Sequence, residues 1–127
     1  MVFHHLGVAC KEISVQYDFL KKIFPDAKFS EIIYDPLQEA DLCLINVNES
    51  LNIELVSGKP VKSLLSKGIS YYHTCFSVKD INKSINDLKE KGSILISNPK
   101  PAILFENKLV CFLFTPIGII ELIENDL

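Results

Sequence analysis

The chain predicts an α+β fold of two consecutive βαβββ modules, and three repeated landmarks predict it. A histidine recurs, with His73 following His5 by 68 residues in the phrases Y-H-T-C-F-S and H-H-L-G-V-A. A glutamate recurs, with Glu121 in I-I-E-L-I following Glu54 in N-I-E-L-V by 67. A cysteine recurs in a third strand-like phrase, with Cys111 in L-V-C-F-L-F-T following Cys43 in D-L-C-L-I-N-V by 68. Three landmarks at one offset make the two half-chains copies of one supersecondary unit.

Taken in order, residues 2–10 alternate with period two, so Phe3, His5, Gly7 and Ala9 share one face of a strand and His4, Leu6, Val8 and Cys10 the other. Ser14 is the expected N-cap of a helix whose apolar stripe is Val15, Phe19, Ile23 and Phe24, ended by Pro25. A strand is expected near 28–34, followed by a turn at Asp35-Pro36. Residues 40–47 and 51–57 read as a hairpin turning at Asn48-Glu49-Ser50. A break at Gly58-Lys59-Pro60 and a short helical turn over 61–66 link the halves. The second half repeats the order. Its first strand carries His73, Cys75 and Ser77 on one face. Asp80 caps a helix buried through Ile81, Ile85 and Leu88 and stopped by Gly92. Strands near 93–97, 108–114 and 118–124 follow, separated by N-P-K-P and T-P-I-G turns. Each module has one sheet face for its helix and needs a partner for the other, so the halves are expected to pair.

Composition narrows the function classes. The 127 residues suit a single domain with a sizeable core, and 48% hydrophobic with 23% charged residues is ordinary globular composition. A formal charge of −3 without a basic block argues against nucleic acid and anionic membrane as partners. No apolar run reaches the roughly 20 residues a membrane-spanning helix needs, and M-V-F-H-H-L lacks the pattern of a signal peptide, so a cytoplasmic protein is expected. Four isolated cysteines inside apolar strands behave as small hydrophobes.

Glu54 and Glu121 are single charges inside strands of Ile, Leu and Val, and neither strand offers Lys or Arg on the same face. An ionised carboxylate there costs several kcal/mol unless it is paired or bound to a metal. One such residue alone would be read as an outward side chain on an edge strand. Two of them, at repeat-equivalent sites and matched by two of the three histidines, point to a His₂Glu₂ metal site of His5, Glu54, His73 and Glu121. The repeat aligns His5 with His73 and His4 with Tyr72, which selects His5 over its neighbour. Gln38, Glu39 and Asp41 form a polar set ahead of the third strand, read as a solvated turn in preference to a further acid or base.

At H-L-G-V-A, I-E-L-V, Y-H-T-C-F-S-V-K-D-I-N and F-L-F-T-P-I-G-I-I-E-L-I, the chain resembles the vicinal oxygen chelate (glyoxalase/bleomycin resistance/dioxygenase) superfamily over nearly its whole length. The resemblance implies two βαβββ modules pairing into a curved sheet around a metal site. It implies one domain over residues 1–127, with module 1 at about 1–58 and module 2 at about 69–127. Within the superfamily the chain looks most like methylmalonyl-CoA epimerases, whose four ligand positions fall on His5, Glu54, His73 and Glu121. It departs from them at K-P-A-I-L-F-E-N-K, where the epimerases carry a glycine-rich loop. The implied cofactor is a divalent metal ion (Co, Ni, Zn, Mn or Fe), and the implied partners are a small-molecule substrate, an acyl-CoA thioester among the candidates, and a second copy in a homodimer. The alternatives are a glyoxalase I-type lactoylglutathione lyase and a non-catalytic small-molecule-binding or antibiotic-resistance member of the fold.

Two imidazoles and two carboxylates leave about two positions on an octahedral ion, enough for a substrate with two suitably placed oxygens. A metal beside carboxylates suits proton abstraction next to a carbonyl. Glu121 is the first candidate for the base, and Glu54 the second in a two-base epimerisation.

Overall fold

A computed structural model describes residues 1–126. The chain divides into two compact units, one spanning His5–Tyr72 and the other taking residues from His73 onward together with Met1–His4.

The His5–Tyr72 unit opens on strand β1 (Val2–Ala9), whose first three residues belong to the other unit, and continues into helix α1 (Ile13–Ile23). Four strands follow: β2 (Lys28–Phe29), β3 (Ile33–Asp35), β4 (Ala40–Asn48) and β5 (Leu51–Gly58). A 3-10 turn over Lys59–Val61 runs into the short helix α2 (Lys62–Ser66). The strands lie in the order β2–β4–β5–β1, with β3 also on β4. β1 and β5 are parallel, and the remaining pairs are antiparallel. The single strand expected near 28–34 is thus two short strands on β4. Ser30 lies between them, accepting from Leu44 N–H at 2.8 Å through its hydroxyl and donating its own N–H to the Leu44 carbonyl at 2.8 Å. The β4–β5 turn closes as expected, with the Asn48 side-chain oxygen accepting from Ser50 N–H at 2.8 Å.

Helix α1 corrects two expectations. It begins after Glu12, with no side-chain cap, so Ser14 lies inside the first turn. Its core face is Ile13, Tyr17, Leu20 and Phe24, packed with Cys10, Cys43, Ile45, Ile53 and Leu55. The expected stripe of Val15, Phe19 and Ile23 stays exposed, at 63, 58 and 48%. Both stripes satisfy helical spacing. The observed one reaches further along the axis and brings Tyr17 onto Phe29, their rings 4.5 Å apart.

The second unit repeats the plan with β6 (Tyr71–Val78), α3 (Ile81–Glu90), β7 (Ile94–Leu95), β8 (Lys100–Ala102), β9 (Lys108–Thr115) and β10 (Gly118–Glu124). Its strands run in the order β6–β10–β9–β7, with β8 on β9. β6 and β10 are parallel and the other pairs antiparallel. Asp80 caps α3 as expected, accepting from Lys83 N–H at 3.0 Å. Glu124 adds a second acceptor at the same helix end, taking the Ile81 N–H at 3.0 Å. Ile81 and Ile85, with Leu88 beside them, pack on Val78, Cys111, Leu113, Ile120 and Leu122. The N-P-K-P stretch, expected as a turn, supplies strand β8. Pro101 is tolerated there because β8 pairs along one side only, against β9.

Each unit is therefore α+β, with a mixed sheet that has a helix on one face. Among the described residues no helix is long and apolar enough to cross a membrane.

Candidate metal centre

In the first unit, parallel pairing sets Gly7 of β1 opposite Glu54 of β5. His5 lies two residues earlier on the same face of β1, and its imidazole reaches diagonally to the carboxylate. Nε2 of His5 is 3.5 Å from Oε1 of Glu54, and both residues are buried. Across β5 from Glu54 stands Leu44 of β4.

The second unit rebuilds the pair with its own strands. The ladder sets Glu121 of β10 opposite Cys75 of β6, and His73 lies two residues before Cys75. Nε2 of His73 is 3.3 Å from Oε1 of Glu121, again with both residues buried. Phe112 of β9 faces Glu121, and its ring meets the His73 imidazole edge-on at 5.3 Å.

These separations test whether the residues suit a metal. Two donors each held about 2.1 Å from one ion, at right angles, lie roughly 3 Å apart. The observed 3.3 and 3.5 Å are close to that spacing and slightly long for a direct charge-assisted hydrogen bond. Imidazole nitrogen and carboxylate oxygen are the donors that Zn, Ni, Co, Mn and Fe accept. Each pair suits a divalent cation.

His4 behaves as alternation requires. It is half-buried on the opposite face of β1 from His5, edge-on to Phe105 at 5.2 Å. The polar set ahead of β4 has structural roles. Gln38 donates to the Asp35 carboxylate at 2.9 Å, and Glu39 pairs with Lys59 at 2.8 Å on the exposed surface. That hydrogen bond, and then the Lys59 charge, hold the Glu39 carboxyl below the usual carboxylate range. Asp41 is exposed. Asp35 is a buried carboxylate that the D-P turn signal did not distinguish. It accepts from Leu37 N–H at 2.9 Å as well as from Gln38.

The cysteines line the cores. Burial pushes the Cys10 thiol up to about 11, outweighing its hydrogen bond with Val56. Burial, with a smaller contribution from the Glu121 charge, pushes the Cys111 thiol up to about 12.

Among curated proteins no relative matches the sequence. Solved structures share the fold. The hypothetical protein BH1468 from Bacillus halodurans C-125 is similar with a TM-score of 0.78 at 23% identity, covering 98% of this chain and 94% of that one. Methylmalonyl-CoA epimerase from Mycobacterium tuberculosis is similar with a TM-score of 0.82 at 18% identity, covering 99% and 89%. A Streptomyces coelicolor methylmalonyl-CoA epimerase variant in complex with 2-nitronate-propionyl-CoA gives 0.81 at 16% identity, covering 100% and 99%. The family model described as Glyoxalase/Bleomycin resistance protein/Dioxygenase superfamily matches residues 4–112. With most of its length matched and its βαβββ plan repeated twice, the chain belongs to the glyoxalase/bleomycin resistance/dioxygenase superfamily.

Proposed function

We propose that this protein is a metal-dependent enzyme that moves a proton at a carbon next to a carbonyl, an epimerase or isomerase acting on a 2-substituted acyl thioester such as methylmalonyl-CoA. The observation that carries the reading is the duplicated, buried His–Glu pair, built at repeat-equivalent positions by each unit from its own strands. His5, Glu54, His73 and Glu121 together hold one divalent ion in a single domain, contributing two imidazole nitrogens and two carboxylate oxygens. The acyl-CoA class draws support from the epimerases of the same fold, one of them bound to 2-nitronate-propionyl-CoA.

The chemistry such an ion supplies is Lewis acidity at a carbonyl oxygen, which acidifies the adjacent C–H. Glu121 is the base that removes that proton, and Glu54 returns one to the opposite side of the carbon. His5 and His73 act as neutral ligands, their strands fixing both rings. Apolar strand residues around both pairs, Leu44 and Phe112 among them, keep water from competing for the carbanionic carbon. A cytoplasmic homodimer completes the reading, and sedimentation of the metal-loaded protein checks the assembly.

The test is solvent exchange. Metal-loaded protein in deuterated buffer is expected to exchange the α-hydrogen of methylmalonyl-CoA. Glu121→Gln is expected to slow exchange by about 10²-fold or more while metal content is largely kept. Conversion of a methylglyoxal–glutathione hemithioacetal to a thioester, without exchange of the acyl-CoA, would replace the epimerase reading with a glyoxalase one. Tight metal binding with neither reaction would sink both substrates.

A further inference from the structure

The two sheets carry different rows beside their His–Glu pairs, although the ladders that place those rows are the same. In the first unit, Asn52 of β5 sits on the face of Glu54, two residues before it, and the β1–β5 register sets it one step beyond Leu6–Ile53, beside His5. Asn46 of β4 lies directly across from Asn52, and Lys28 of β2 directly across from Asn46. Asn46 Nδ2 donates to Asn52 Oδ1 at 2.7 Å and to the Asn48 carbonyl at 3.2 Å, which locks the amide on the sheet. The row from His5 outward is thus amide, amide, cation. The neighbouring residues Ile45, Ile53 and Phe29 point to the helix side, so Lys28, Asn46 and Asn52 belong to the face of the His–Glu pair.

In the second unit the corresponding row is apolar throughout. Ile119 of β10 stands beside His73, Phe114 of β9 across from Ile119, and Ile94 of β7 across from Phe114. Leu113, Ile120 and Leu95 turn to the helix side, leaving Phe114 and Ile94 on the open face, 52 and 66% exposed. Large hydrophobic side chains exposed in a row ending at a buried His–Glu pair mark a surface that meets a ligand rather than water.

We propose that these rows are the specificity-determining walls of the site. Lys28, Asn46 and Asn52 take an anionic, oxygen-bearing group of the substrate, and Ile94, Phe114 and Ile119 take an apolar group of the same molecule. The proposal rests on the metal-site reading above and deepens it by naming the substrate class, a two-oxygen metal chelator with one anionic and one apolar substituent. A cation flanked by a fixed amide pair offers charge and hydrogen bonding to a carboxylate or phosphate. The apolar row offers only burial, at a gain that grows with each methylene covered.

Three hydroxamates with one chelating head supply the probes: acetohydroxamate, succinic monohydroxamate with a carboxylate tail, and hexanohydroxamate with an alkyl tail. Titration calorimetry on the full, metal-loaded chain is expected to show each tail tightening binding about tenfold over acetohydroxamate. In the double variant Lys28→Met, Asn46→Leu the carboxylate-tail ratio is expected to fall to about one while the alkyl-tail ratio is kept. In Ile94→Ser, Phe114→Ser the reverse is expected, so each variant is the folding control for the other. Metal bound normally with tail-indifferent affinities overturns the walls alone. A protein that takes up no metal overturns the site reading and the walls with it. If Ile94→Ser, Phe114→Ser dissociates a dimer in sedimentation and leaves the alkyl-tail ratio intact, the apolar row covers a second copy and the proposal falls.

Discussion

Each His–Glu pair joins residues on neighbouring parallel strands, so its geometry depends on strand register more than on any side-chain torsion. This makes the two adjacent histidines of β1 a sensitive test. His5→Ala is expected to lower metal occupancy at least tenfold, and His4→Ala, on the Phe105 side, to leave occupancy near wild type. Elemental analysis of proteins purified without chelators checks both. Equal losses would mean that β1 is displaced by one residue and that the wrong histidine has been assigned. The thiols give a test on the core side. Burial raises the Cys10 thiol to about 11 in the folded chain, while an unfolded thiol titrates near 8.5. Below about pH 8.5 both states hold the proton and the contribution is complete. Between about 8.5 and 11 the unfolded chain releases it first, and stability falls by up to about 1.4 kcal/mol per pH unit from this thiol. Urea denaturation at pH 8 and pH 10 is therefore expected to show a smaller loss for Cys10→Ala than for the unsubstituted chain. Identical losses would mean that this thiol ionises in the fold as readily as outside it.

At the scale of elements, the end of β5 depends on one glycine. Gly58 has φ +113°, and a Cβ added there would lie 2.6 Å from the Glu39 carbonyl oxygen, at the mouth of the β4–β5 ladder. Gly92, at the end of α3, has φ +95° but nothing within 4 Å of an added Cβ. Gly58→Ala is expected to cost about 3 kcal/mol or more, from backbone strain and collision together, and Gly92→Ala about 1 kcal/mol from strain alone. Urea denaturation midpoints of the two variants measure the difference, and equal shifts would show that the β4 end yields to the methyl group. The helices differ in a related way. α3 carries two carboxylate acceptors at its N-terminus, from Asp80 and Glu124, whereas α1 begins on Glu12 with no side-chain cap and depends on its packing stripe.

For the whole molecule, four buried donor residues held without a cation would keep two carboxylates in apolar surroundings, and a bound ion offsets that cost. Metal binding to the folded chain alone stabilises it by about 2.7 kcal/mol at a free metal concentration a hundredfold above Kd. EDTA is accordingly expected to lower the melting temperature by several degrees, and restored metal to reverse the shift. His5→Ala should remove the response. A melting temperature indifferent to EDTA in a protein shown to contain stoichiometric metal would place that metal elsewhere.

The sequence alone determined what is local and periodic. Alternation sorted His5 from His4, and one offset of 67 or 68 residues aligned the two His–Glu pairs and both βαβββ plans, because duplicated modules keep their landmarks at fixed separation. The same offset carried the contrast between Asn46 and Phe114 and between Asn52 and Ile119, but these residues gain meaning only once the ladders set them in rows. What the tertiary structure decided is non-local. Helix α1 offers two apolar stripes of equal period, and only packing against Phe29, Ile45 and Leu55 selects Ile13, Tyr17, Leu20 and Phe24. The N-P-K-P stretch reads as a turn until β9 pairs with it, because hydrogen bonding to a distant strand outweighs proline's local preference at an edge. The parallel register of β1 with β5 and of β6 with β10 brings each imidazole to its carboxylate, and such a register is set by side chains dozens of residues apart rather than by either strand alone.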